Sequence, residues 1–388
     1  MSTTTNKLKL IRESGKGKFY NTGDDLIGVL QLTGSWKEMG KQYGNFLKDG
    51  MEKMWNMTLA PMFKEWTTEK EVLEQFGKRT LDTSSIRMKD FIRGIGEEIG
   101  WSPYKVSALS QSGLIKGYQA KLHSFSGCSS TLAWGDATTD GKMYTGRNLD
   151  WGELFLSLPL YLTVFNPNDG SNGVANLGWP GWLWIMSGLN NKGVYLDLHD
   201  GTSMGGGTVY MERASFLNSM FDILAECDDA EAVSRRFNSL RNDVSFIWTI
   251  ADGSPNGFSF ECPSYDNRRR NSNGDILVVV NTYMIDDWGI QKRETLSNSL
   301  KRYDNLTKRL EEAHGKIDAD KTMEIFDLPL FNKDGSFAKK GGATKPTKQD
   351  ADLTDHQIVT SPSELKVWLK IPLKTEWRYV DLKSLFNE

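Results

Sequence analysis

Along the first third of the chain, apolar residues return at three- and four-residue steps. Met39, Tyr43, Phe46, Leu47, Met51, Met54 and Trp55 form one such stripe, directly after Ser35-Trp36-Lys37-Glu38. Ser at a helix N-cap with Glu three residues later is a capping box, in which each side chain accepts the other residue's backbone N–H. The same period predicts helices over residues 69–79, 85–99 and 103–118, the last started by Ser102 before Pro103. From Cys128 the period changes to that of strands. Residues 128–134 and 142–148 flank Thr138-Thr139-Asp140-Gly141, and Asp-Gly between alternating runs signals a hairpin. Further strands are predicted at 158–165, 183–186, 193–199, 245–251, 258–262, 276–281 and near Ile358. Residues 211–227 and 230–240 read as a helical pair between them; helices at 297–313 and 321–328 and a Gly/Lys/Thr-rich loop at 334–350 follow. Helices, then strands, then helices suggest two sheets packed face to face with helices outside. Residues 1–127 read as a helical cap on that core.

Composition narrows the function classes. The chain has 388 residues, with 47 Lys and Arg against 50 Asp and Glu, and this balance gives no electrostatic case for nucleic acid. No run of about 18 apolar residues predicts a membrane span. The first twenty residues lack an apolar h-region, so no signal peptide is read and a cytoplasmic location is the default, a trimmed leader aside. Three cysteines (Cys128, Cys227, Cys262) form no disulfide framework and fit a reducing compartment. Four scattered histidines (His123, His199, His314, His356) make no ligand spacing, so neither a metal site nor a cofactor is expected.

The chemistry centres on Cys128. A lone cysteine ordinarily packs as a small buried hydrophobe. This one follows Gly127 at the helix-to-strand transition, and the hairpin returns as Gly146-Arg147-Asn148-Leu149-Asp150-Trp151. A turn at 139–141 makes opposed positions sum to roughly 280 and sets Cys128 against 150–153. Arg147 and Asp150 have opposite parity on a strand, so a bulge or strand end must intervene if both reach one site. A guanidinium lowers a thiol pKa, and thiolate is the nucleophilic form. Cutting the chain before Cys128 would free an α-amine able to accept the thiol proton, with Asp150 orienting it. An ordinary ion pair is the other reading of Arg147 and Asp150.

These residues resemble the N-terminal-nucleophile (Ntn) cysteine hydrolases of linear amides. The similarity is greatest to the acyl-coenzyme A:6-aminopenicillanic acid acyltransferase family, with bile salt hydrolases and acid ceramidases more distant. Gly127-Cys128-Ser129-Ser130 resembles the family's cleavage junction, and Arg147-Asn148-Leu149-Asp150-Trp151 its Arg-Asn-x-Asp-Trp signature. Gly188-Leu189-Asn190-Asn191-Lys192-Gly193, the apolar strand ending in Asn281-Thr282-Tyr283, and Ser299-Leu300-Lys301-Arg302-Tyr303 match further motifs in order. The Gly34–Gly40 stretch looks similar too, so the likeness runs over roughly residues 30–385.

The resemblance implies a four-layer αββα sandwich of class α+β with an N-terminal helical segment. It also implies autoproteolysis between Gly127 and Cys128 into fragments 1–127 and 128–388 that stay associated. Cys128 would be the nucleophile, Arg147 and Asp150 its tuning and orienting groups, Asn281 the oxyanion donor and Arg302 an electrostatic support. The implied activity is hydrolysis of a small linear non-peptide amide through an acyl-thioester, or acyl transfer to a second amine. A family oxyanion Asn is missing where Leu198-His199-Asp200-Gly201 stands, so His199 and Asp200 become pocket candidates. Trp179 and Trp182 could wall an acyl pocket or simply pack a core. Asn148, Trp151 and Tyr283, from the same motifs, complete the substrate-binding candidates. Residues 203–207 read as a flexible loop, 166–173 as a turn and Arg268-Arg269-Arg270 as a solvated loop. The alternative is an uncut, non-catalytic Ntn-like scaffold that binds a ligand. A papain-like Cys-His protease is disfavoured, because that nucleophile opens a helix.

Overall fold

The structure, a computed structural model, describes residues 8–65, 67–115, 127–151, 155–295, 298–327, 354–372 and 374–386. The segment expected to be helical opens instead with three strands, β1 (Lys9–Ser14), β2 (Gly17–Asn21) and β3 (Ile27–Gly34). Only β3 is mostly buried, and its apolar run is too short to advertise a helix or a strand by period.

Ser35 then caps α1 (Trp36–Thr58). Its Oγ accepts the Glu38 N–H at 3.3 Å, and Glu38 Oε2 accepts the Ser35 N–H at 2.8 Å. The predicted stripe is the buried face of this helix. It packs against α2 (Ile86–Ile99) at a point where both backbones lack side chains. A Cβ on Gly40 would sit 2.2 Å from the Phe91 carbonyl oxygen, and one on Gly94 2.2 Å from that of Lys37. Residues 69–83 are helical with a π-turn at Leu73–Gly77, and α3 (Pro103–Ser110) starts at Ser102. Helical backbone resumes at 112–115; the rest of the predicted 103–118 helix lies outside the described residues.

The strand region follows: β4 (Gly127–Gly135), β5 (Gly141–Asp150), β6 (Leu160–Pro167), β7 (Val174–Gly178), β8 (Ser187–Asn190) and β9 (Tyr195–Asp200). Then come α4 (Phe216–Glu226), α5 (Ala230–Ser239), β10 (Phe246–Ala251), β11 (Gly257–Cys262), β12 (Arg268–Asn271) and β13 (Ile276–Val279). The chain ends with α6 (Ser299–Glu312), α7 (Ala319–Asp327), β14 (Thr354–Ser361), β15 (Lys366–Lys370) and β16 (Arg378–Asp381). The 334–350 loop lies outside the described residues.

Two sheets result, making a mixed α+β fold. One has ten strands in the order β1-β2-β3-β6-β7-β8-β9-β10-β11-β12, and the other six in the order β13-β4-β5-β14-β15-β16. All pairings are antiparallel except β3–β6, an eight-rung parallel ladder from Ile27–Leu160 to Gly34–Pro167. β4 lies over β9, and β13 over β10 and β11. Helices α6 and α7 cover the outer face of the small sheet, while α1, α4 and α5 cover the large one.

Several local expectations are corrected. Residues 183–186 are loop, and the strand begins at Ser187. Residues 211–215 are not helical, because Asp243 Oδ1 accepts the Phe216 N–H and starts α4 there. The 268–270 loop is instead edge strand β12. Its charges find close partners: Arg269 lies over the Phe258 ring, and Arg270 donates to Ser259 Oγ and the Val278 carbonyl. Among the described residues, no helix is long and apolar enough to cross a membrane.

Candidate active site

The β4–β5 hairpin places the first site residues. Its pairs sum to 277 rather than 280, so Cys128 faces Leu149 and Asp150 faces Gly127. The shift comes from the connection. Asp140-Gly141 ends a longer loop rather than forming its centre, and Gly135 and Gly141 both take positive φ (53° and 74°). That loop is anchored by Thr139 N–H on the Ile317 carbonyl and by Gly315 N–H on the Ala137 carbonyl. Opposed residues of a pair share a face. Cys128, Ser130, Arg147 and Leu149 therefore point between the sheets. Asn148 and Asp150 point toward the helices.

Arg147 lies fully buried beside the sulfur, with Nη2 donating to Cys128 Sγ at 3.4 Å. Its Nη1 and Nη2 also donate to the Met186 and Leu198 carbonyls and Ser187 Oγ on the large sheet. The guanidinium thus bridges the two sheets. Asn281 follows β13, whose ladder aligns Val279 with Ser130 and brings residue 281 beside 128. Asn281 Oδ1 accepts the Cys128 N–H at 2.8 Å and an Arg302 Nη2 hydrogen at 2.8 Å. These two donors fix the amide's orientation, and its Nδ2 donates to the Asp200 carbonyl at 3.0 Å. Arg302, projecting from the first turn of α6, also donates to the Cys128 carbonyl. The nucleophile candidate is thereby held at its amide, its carbonyl and its sulfur.

Asp150 accepts the Thr354 hydroxyl at 2.6 Å on the helix side of the sheet. No bulge interrupts β5 there, so strand parity separates its side chain from that of Cys128. Burial pushes its carboxyl up, against the opposing charge of Arg302 and the Thr354 hydrogen bond. Charge alone predicts a lowered Cys128 thiol, but the structure reverses this. Burial dominates and pushes it up; Arg147 opposes, and Asp150 adds to the rise.

A second buried cluster lies behind the guanidinium, and sequence reasoning missed most of it. Asp197 Oδ2 accepts Ser130 Oγ–H at 2.8 Å and Tyr195 O–H at 2.9 Å. His199 Nε2 stands 2.8 Å from Asp197 Oδ1 and 3.0 Å from Thr249 Oγ1. Burial works against the Asp197 charge, yet His199, Arg147 and Ser130 together hold its carboxyl below the usual range. Burial pushes His199 down, against the opposing pull of the Asp197 carboxylate. The missed signal was alternation: Tyr195, Asp197 and His199 share one face of a central strand, where a carboxylate needs a partner.

The pocket candidates separate. His199 is fully enclosed in the Asp197 cluster, and Asn148 accepts from Gln357 Nε2 at 2.9 Å on the helix side. Asp200 Oδ1 accepts the Thr202 N–H, and Tyr283 packs its ring 5.7 Å from that of Trp288. Trp151, Trp179 and Trp182 do come together, with Phe155 and Trp184, in one aromatic cluster. His356, which no motif singled out, meets Trp179 edge-on at 5.7 Å. Among the described residues, no cluster of His, Cys, Asp and Glu is arranged to hold a metal ion.

No family model matches the chain. Protein dcd1B of Dictyostelium discoideum is 27% identical over 213 residues, which cover 47% of this chain and 40% of that protein. An uncharacterized protein of Archaeoglobus fulgidus is 20% identical over 223 residues, covering 52% of this chain and 37% of that one. The matches thus span about two fifths of the curated relatives' length. Among solved structures, a variant of the conjugated bile acid hydrolase from Clostridium perfringens superposes with TM-score 0.47 at 12% identity, covering 67% of this chain and 94% of that one. Penicillin V acylase from Agrobacterium tumefaciens gives 0.45 at 12%, covering 67% and 88%. The Caenorhabditis elegans ortholog of N-acylethanolamine-hydrolyzing acid amidase gives 0.42 at 16%, covering 61% and 93%. All three TM-scores lie below 0.5, so nothing about this chain's chemistry follows from them.

Proposed function

We propose that this chain is a self-processing Ntn cysteine amidase with an αββα core, acting on a small linear amide outside peptide backbones. The observation that carries the reading is the convergence on one residue: Arg147 at the Cys128 sulfur, Asn281 at its N–H and Arg302 at its carbonyl. Any buried residue needs partners for its backbone N–H and C=O, but a packing cysteine has no use for a guanidinium at its sulfur.

In the first stage, Cys128 Sγ attacks the Gly127 carbonyl, and the acyl group moves from nitrogen to sulfur. Water resolves the thioester, leaving fragment 1–127 with a carboxylate and fragment 128–388 with a free α-amine. Such an amine ordinarily titrates at about 7.7–8.0, and it takes the thiol proton in the second stage. Asp150 pairs with Gly127 in the ladder, and its carboxylate is assigned the role of orienting the amine freed when that peptide bond is cut. Arg147 offsets the cost of forming a thiolate in a buried site. The sulfur then attacks the substrate carbonyl, the amine leaves with the proton, and water regenerates the thiol. A second amine in place of water gives acyl transfer. Asn281 Nδ2, which donates to the Asp200 carbonyl, is the side-chain donor assigned to the oxyanion.

Intact mass and N-terminal sequencing of purified wild type and Cys128→Ala test the reading. The expected result is a wild-type fragment beginning at Cys128, an uncut variant, and amine release from N-acyl amino acids, β-alanyl amines or penicillin-type amides by wild type alone. Wild-type protein that stays whole and releases no amine would favour the non-catalytic scaffold. Asp200, standing where a second oxyanion Asn is expected, is the one observation on that side.

A further inference from the structure

His356 is 1% exposed, and among the described residues neither ring nitrogen has a hydrogen-bond partner. His199 is as deeply buried but stands against Asp197 and Thr249. An unpaired buried imidazole costs stability that an apolar side chain of similar size would not. Its position gives that cost a purpose. The β5–β14 ladder pairs His356 with Leu149, and the β4–β5 ladder pairs Leu149 with Cys128. Cys128, Leu149 and His356 therefore form a row on the inner face of the small sheet. Each strand step is about 4.8 Å, which puts the imidazole backbone roughly 10 Å from that of the nucleophile. Leu149 gives the intervening surface an apolar floor. Trp179 stands edge-on to the imidazole, with Phe155 packed on its far side at 4.6 Å. An extended acyl group leaving the sulfur along this row would pass Leu149 and reach the imidazole at its end. The row ends in a neutral ring: burial, reinforced by the charge of Arg147, pushes His356 well below the usual imidazole range.

We propose that His356 is the polar terminus of the acyl pocket and hydrogen-bonds a hydroxyl carried by the acyl group about 10 Å from the carbonyl that Cys128 attacks. A hydroxyl both donates and accepts, so it suits whichever ring nitrogen carries the proton. A carboxylate at that end would enter a dry, apolar setting opposite an uncharged ring, and is disfavoured. The substrate class is thus the ω-hydroxyacyl amide rather than the plain fatty amide or the dicarboxylic one. This inference rests on Cys128 being the nucleophile of the amidase described above.

Two arms keep it separable from that reading. In the first, wild type, His356→Leu and His356→Gln are assayed on ω-hydroxyoctanoyl and octanoyl amides of one aminocoumarin. Wild type is expected to favour the hydroxylated amide about tenfold or more in kcat/KM. His356→Leu should erase that preference with an unchanged or higher urea midpoint, and His356→Gln should restore part of it. A preference that survives His356→Leu, or a midpoint that falls well below wild type, marks the ring as packing and overturns the proposal. In the second arm the same His356 changes are made in Cys128→Ala protein, and binding of both amides is read by tryptophan fluorescence. Discrimination there without wild-type turnover sinks the amidase reading and leaves the pocket standing. Turnover without discrimination does the reverse, and failure to bind either amide removes both.

Discussion

The α1–α2 contact and the layer between the sheets around Cys128 are equally buried but made of opposite materials. At the helix pair, glycines let two backbones touch, and the neighbouring buried side chains are apolar: Met39, Tyr43, Phe91, Ile95. Between the sheets the chain encloses a guanidinium, a carboxylate, an imidazole, four hydroxyls and a thiol around Arg147 and Asp197. Well-packed hydrophobic residues are often no worse for stability than a buried charge network. The helix contact therefore serves the fold. The polar layer has to be explained by what it holds in place.

Measurements that remove one element from each region separate these two kinds of burial. The largest effect is expected from Arg147→Met, which strips the Met186 and Leu198 carbonyls and Ser187 Oγ of their buried donor and removes a positive charge that helps hold the Asp197 carboxyl down. Leaving a buried polar group unsatisfied costs about 1–3 kcal/mol, and here several lose a partner at once, read as a lower urea midpoint. Adding Asp197→Asn should recover part of that loss, giving a coupling that additive packing would not show. Next comes Gly94→Ala in the helix contact. The new Cβ meets backbone rather than a movable side chain, so α1 and α2 must separate, at about 1–3 kcal/mol by thermal melt with amide turnover kept.

The smallest effect is expected from Asp169→Asn. Asp169 sits at the end of β6–β7 and accepts from Trp36 Nε1 at 2.8 Å and Arg87 Nε at 3.2 Å, tying both helices to the sheet. Burial works to raise its carboxyl, but hydrogen bonds from Ser171, Trp36 and Arg87 carry it down to about 2. Its folded value lies below the unfolded one of about 3.9, so its stabilisation is complete above that pH and fades as pH falls through the folded value. The side chain is partly exposed, so the substitution should cost only about 0.5–1 kcal/mol at neutral pH. That difference should close in melts taken near pH 2.

The two regions also differ in how legibly the sequence announced them. The α1 stripe and its Ser35–Glu38 box are local patterns, and the helix begins and faces where they predict. Cys128, Arg147, Asn281 and Arg302, picked out by motif order, are brought together in space. Much of what escaped lacked a buried apolar face. Strands β1, β2 and β12 pair with neighbours in sequence but are mostly exposed or half-buried, β3 finds its distant partner only in β6, and a triple arginine reads as solvated until Phe258 and Ser259 are seen beneath it. The hairpin register slipped because its loop is anchored by residues 315–317, outside the hairpin itself. Asp197 was hidden by its setting in β9, where His199 and Asp200 also interrupt the apolar run and local pattern gives no reason to single it out. His356 was hidden by having, among the described residues, no hydrogen-bonding companion to form a pattern with.

The parallel ladder between β3 and β6 has a practical consequence for anyone looking for the cut at Gly127. The first fragment would supply one end of the large sheet, with β2 on one side of β3 and eight paired positions of the second fragment on the other. A nicked molecule would keep the hydrodynamic radius, elution volume and scattering profile of an intact one. Native sizing would therefore report a single unbroken particle in either case, and only denaturation would reveal two chains.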